Sequence, residues 1–147
     1  MLKKFVIIHL VFLFSLSAYG YNLKPLSSVF ENDKITPDEA FEVLIRCNAW
    51  NNMIANMAQQ SNEKDLYEKS FNQSLFFYNT ALDFLIDEGK RESDAEKYVQ
   101  DNLFQLDEKY MADGKINVKK YGVWFEGYFK GHLGDANICD KYYEMLQ

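Results

Sequence analysis

From Thr36 onward the apolar residues recur at intervals of three and four, the period of helices that bury one side. Thr36-Pro37-Asp38-Glu39 opens the first such stretch: Thr36 is placed to cap, Pro37 suits the first turn, and Glu39 can close a capping box. This helix is expected to run to about Gln60. Val43, Cys47, Trp50, Ile54 and Met57 form one stripe along it, while Phe41, Leu44, Ile45, Asn48, Asn52 and Ala55 take the other side. A helix apolar on two sides belongs in the centre of a fold. Asn48 and Asn52, one turn apart, read as an exposed margin, with a buried amide network or a recognition patch as the alternatives.

A second helix is expected to open at Ser61 or Asn62 and to stop at Gly89, where a left-handed residue would follow Glu88. Its inward stripe reads as Tyr67, Phe71, Leu75, Tyr78, Leu82 and Leu85, with Leu66, Phe77 and Phe84 as a lesser ridge. Ser93-Asp94-Ala95-Glu96 resembles another capping box. It would start a third helix that buries Tyr98, Val99, Leu103, Leu106 and Tyr110 and stops before Gly114. Asn117 would cap a fourth, facing inward through Tyr121, Trp124, Phe125, Tyr128 and His132. Asp135 would open a short last helix with Ile138, Cys139, Tyr142, Tyr143 and Leu146. No segment alternates with the period of two that a strand needs. The fold expected is all-α, a small antiparallel bundle of four to five helices joined by short loops.

The chain ahead of Thr36 reads differently. Lys3 and Lys4 precede an apolar run from Phe5 to Leu16, and Ala18 and Gly20 supply the small residues a signal peptidase needs. Residues 1–20 are therefore expected to be a signal peptide, the apolar run being too short to span a bilayer. Residues 21–35, with Pro25 and paired serines but no clear period, read as an extended arm able to pack through Leu23, Leu26, Val29 and Phe30. Residues 36–147 make a single helical domain. The expected address is exported, periplasmic or extracellular, with no membrane span.

Charge narrows the partners. Removing residues 1–20, which carry two lysines and no acid, takes the formal net charge from −6 to −8, so nucleic acid and anionic lipid would repel the chain. The two cysteines, Cys47 and Cys139, both fall on inward stripes and in an oxidising compartment are expected to be joined, stapling the first helix to the last.

Candidate chemistry is sparse. Asp113-Gly114-Lys115-Ile116-Asn117 resembles the middle of a calcium loop, but setting Gly114 at position six puts Lys109 at one and Lys120 at twelve, where oxygen ligands are required. A helix stop is the better reading of Gly114. His132 is the single histidine outside the signal, too few for a histidine-based metal site, and it reads as a ring packed beside Trp124. No nucleophile motif accompanies it, and Glu126, an acid in apolar company, reads as a solvated helix residue. Neither a catalytic residue, a metal nor a cofactor is expected. Asn72-Gln73-Ser74 fits a glycosylation acceptor, of consequence only in a eukaryotic host.

Gly122, Gly127, Gly131 and Gly134 thin the predicted fourth helix, which marks close approach by a neighbouring helix or a ligand. Eight of the ten tyrosines fall in the acidic helical domain, which suits a protein interface. The reading that follows is an exported, non-catalytic module that binds another protein or peptide, of inhibitor, immunity or assembly-factor type. The alternative is a carrier of a small apolar ligand between the first and fourth helices. Trp50, Met53, Trp124, Tyr128 and His132 are the candidate contacts for either.

Overall fold

The computed structural model describes residues 26–30, 35–122 and 133–147. Among them lie a short 3-10 helix, Leu26–Phe30, and four α-helices: α1 (Pro37–Gln60), α2 (Lys64–Asp87), α3 (Glu92–Tyr121) and α4 (Leu133–Leu146). The described chain contains no strand, and the fold is an all-α bundle. Residues 1–20, expected to be a signal peptide, and residues 21–25 lie outside the described residues. Of the expected arm, Leu26 and Val29 are buried and Phe30 packs against Tyr142 of α4 at 5.5 Å between ring centroids.

Local chemistry accounts for most helix ends. At the start of α1 the Thr36 hydroxyl accepts from the Glu39 amide at 3.3 Å, and the Thr36 amide donates to the Glu39 carboxylate at 2.8 Å. Both halves of the capping box are therefore present. The α1 terminus differs from expectation: Asn62 does not open α2 but closes α1. Asn62 adopts a left-handed φ of 59°, its amide donates to the Gln59 carbonyl, and the Glu63 amide donates to the Ala58 carbonyl. That pattern satisfies carbonyls the helix would otherwise leave orphaned, and asparagine is the non-glycine residue that best tolerates it. Gly89 ends α2 in the same way, with φ 91° and bonds from Gly89 to Ile86 and from Lys90 to Leu85.

The third helix differs more. It begins at Glu92, with Arg91 at the N-cap position but no side-chain cap bond, so Ser93 lies inside it and the Arg91 guanidinium donates to the Asp94 carboxylate at 2.7 Å. It then continues through Gly114 to Tyr121, ending at Gly122 with φ 76°. The expected break at Gly114 and the new cap at Asn117 are both absent. An interior glycine costs about 1 kcal/mol against alanine, which thirty residues of continuous helix can absorb. Gly114 is buried within the helix. The helix also removes the calcium reading, since no loop exists at 113–117. α4 starts at Leu133, two residues before Asp135.

α1 lies at the centre and packs against α2, α3 and α4. It is buried on both sides, through Phe41, Leu44 and Ile45 as well as Val43 and Cys47. Asn48 donates from Nδ2 to the Ser74 carbonyl at 2.6 Å, linking points similarly far from the Asn62 turn, so α1 and α2 run antiparallel. Phe41 meets Tyr98 near the start of α3, and Ala49 and Tyr110 pack together further on, so α1 and α3 run in parallel.

The disulfide forms as expected: the Cys47 and Cys139 sulfurs are 2.03 Å apart with Cα atoms at 5.3 Å, and both residues are buried. It ties α4 to the middle of α1 across 92 residues, which on the loop-entropy model stabilises the fold by about 4 to 5 kcal/mol. A core disulfide indicates an oxidising, non-cytoplasmic setting. No described helix is long and apolar enough to cross a membrane.

Candidate binding surface

The phase of α2 is the largest departure from the sequence pattern. Its buried residues are Ser70, Gln73, Ser74, Phe77, Ala81 and Leu85. Of the expected stripe, Leu85 is buried and Tyr78 and Leu82 pack partly buried against the core, whereas Phe71 and Leu75 are exposed, so the buried face is centred roughly a quarter turn from the expected one at about 100° per residue. Small residues explain the choice: Ser70, Ser74 and Ala81 on the buried face of α2 leave room for close approach, and α1 buries Ala55 and Ala58. Polar pairing points the same way. Asn48, expected at an exposed margin, is buried and donates to both the carbonyl and the hydroxyl of Ser74. Gln73 donates to Asp140 of α4 at 3.0 Å. Turning α2 to bury its more apolar stripe would strand those groups, at about 1 to 3 kcal/mol for each one left buried without a partner.

The consequence is an apolar ridge in water. Phe71 is 46% exposed and Leu75 49%, one turn apart, with Tyr67 stacked on Phe71 at 5.7 Å. Ile86 continues the ridge toward the end of α2, and Phe104 on α3 is 64% exposed. Phe77, assigned by pattern to a lesser ridge, is fully buried between Phe76 and Tyr143. Asn72 is exposed on α2, where an acceptor asparagine would have to be.

Between the second half of α1 and the middle of α3 runs an open groove of about 560 Å³. Met53, Met57 and Met111 line it with Tyr110, the amides Asn52, Asn56, Gln59 and Gln60, and one carboxylate, Asp107. Partial desolvation beside the groove raises the Asp107 carboxyl above the usual aspartate value. A second groove, of about 400 Å³, lies where the first halves of α1 and α3 diverge. It is charged, with Asp38, Glu42, Arg46 and Lys109 on its walls. Arg46 is buried there, its Nη1 3.4 Å from Glu42.

The candidate contacts divide accordingly. Trp50 and Met53 are partly buried against the Ala49–Tyr110 cluster, and Met53 also lines the groove. Trp124, Tyr128, His132 and Glu126 lie outside the described residues, as do Gly127 and Gly131, so the expected pocket between the first and fourth helices is represented only by Trp50 and Met53. Sequence reasoning missed Met57 and Met111 as groove residues. The spacing of Met53 and Met57 by four was the available signal. Among the described residues no group of three or more histidines, cysteines or acids gathers as a metal cluster would. The chain matches no protein-family model, no curated protein and no solved structure.

Proposed function

We propose that this protein is an exported, non-catalytic binding module whose partner is another protein or peptide. The observation that carries the reading is the ridge of Tyr67, Phe71 and Leu75. Phe71 and Leu75, which the apolar pattern would turn inward, stay exposed, while Ser70, Gln73, Ser74 and Ala81 enter the core beside Phe77 and Leu85. Aromatic and aliphatic side chains held on a rigid helix are what an interface anchor requires, and exposing them without a partner favours aggregation. The export reading rests on Lys3, Lys4 and the apolar run after them, together with a disulfide that needs an oxidising compartment. The acidic net charge argues for a neutral or basic partner and against nucleic acid.

The test is capture of envelope proteins by the purified chain and by Phe71→Ser and Leu75→Ser variants whose melting temperatures match the parent. A protein retained by the parent and by an Asn79→Ala control, but lost by both ridge variants, supports the reading. Capture that ignores the ridge substitutions, or no saturable partner at all, defeats it.

A further inference from the structure

We propose that the groove between α1 and α3 is a Cu(I) site in which Met53, Met57 and Met111 supply three thioether ligands. The chain has five methionines, and apart from Met1 all but Met145 line this one groove. Met53 and Met57 stand one turn apart on α1, so their side chains lie one above the other on a single face. Met111 comes from α3 on the opposite wall. Met57 is 40% and Met111 48% exposed, at positions where a surface groove would ordinarily carry polar chains. Three rotatable bonds in each side chain give the sulfurs the freedom to converge on one ion.

The chemistry selects the metal. Soft, neutral thioethers favour Cu(I) over hard divalent ions, and unlike thiolates they are not consumed by disulfide formation where the environment is oxidising. The two thiols of this chain are already joined to each other. The groove also matches the ion in charge. Among the described residues Asp107 is the only charged one in its lining, so one carboxylate faces one monovalent cation with no described lysine, arginine or histidine to repel it. Its ring of amides and the Tyr110 phenol would cover the sulfurs without competing as soft ligands. The ion enters and leaves as Cu(I), and no redox step is involved. This site shares no residue with the α2 ridge and does not depend on the protein-binding reading.

The experiment is an anaerobic Cu(I) titration of the full purified protein, disulfide intact by mass, against a chromophoric Cu(I) chelator, with Ag(I) as a redox-inert second probe. One equivalent should bind, with a sulfur shell by X-ray absorption. Met53→Leu and Met111→Leu should each weaken binding by roughly tenfold or more, at least the loss typical of disturbing a residue that supports a metal ligand. Leucine nearly preserves volume, so melting temperatures should stay close to the parent's and separate lost ligation from lost fold. Met145→Leu, on the exposed side of α4, should bind as the parent does. Binding that survives the groove substitutions, falls equally with Met145→Leu, or shows a shell of oxygen and nitrogen overturns the proposal, as does failure of the parent to bind.

Discussion

Substituting Phe77 and Phe71 separately, each by alanine, tests the phase of α2 and with it the origin of the exposed ridge. Phe77 is 0% exposed, with Phe76 at 5.6 Å and Tyr143 at 6.2 Å between centroids. Its truncation removes a buried ring and leaves a cavity, a loss of about 3 to 5 kcal/mol. For a domain of this size that is roughly 10 to 20 °C in melting temperature. Phe71 keeps 46% of its surface in water and rests mainly on Tyr67 of its own helix. Alanine is the better helix former there, so the loss should stay at about 1 kcal/mol or less, roughly 4 °C. Thermal and guanidinium unfolding followed by far-UV circular dichroism would measure both. A Phe71→Ala loss equal to or larger than that of Phe77→Ala would mean that α2 buries its more apolar stripe after all. The ridge, and the binding surface read from it, would then be refuted.

Replacing both cysteines by alanine removes a cross-link across 92 residues and should destabilise by about 4 to 5 kcal/mol, roughly 15 °C, in a calorimetric scan; a shift below about 5 °C would contradict the loop-entropy account. Asp107→Asn should raise the melting temperature at pH 7. Burial raises the folded-state pKa of Asp107 above 3.8, so the native state binds the extra proton between those values and stability falls as pH rises through them. The advantage of asparagine should therefore vanish below about pH 3.8, and a gain independent of pH would show that the carboxyl is not its source. Thr36→Ala should cost about 1 kcal/mol by removing the α1 cap. Hydrogen bonds from the Thr36 amide and hydroxyl hold the Glu39 pKa below 4.5, so the carboxylate's contribution is complete above that pH and is lost as pH falls through the lowered value. The penalty of Thr36→Ala should shrink accordingly in an acid melting series.

The features that were legible are those whose signal rests on one local bond pattern or one unique pairing. Thr36 and Glu39 close a ring of hydrogen bonds within one turn, Gly89 takes a backbone angle few other residues tolerate, and two inward cysteines in an oxidising setting have each other as partner. The errors arose where a local signal met a tertiary decision. Asn62 carries the same side chain whether it opens a helix or closes one, and the bonds from Asn62 and Glu63 back into α1 decide for closure. Gly114 marks a stop only if its neighbours lack other reasons to stay helical, and its burial within α3 supplies one. Cutting α3 there placed Met111 near a helix end and hid its position in the groove with Met53 and Met57. The α2 stripe shows the same competition over a whole face. Counting apolar residues selects Phe71 and Leu75 for the core, whereas Asn48 needs the Ser74 carbonyl and α1 needs small residues against its alanines. Close packing and polar satisfaction outweigh the extra apolar area that the other phase would bury, and Phe71 and Leu75 are left in water.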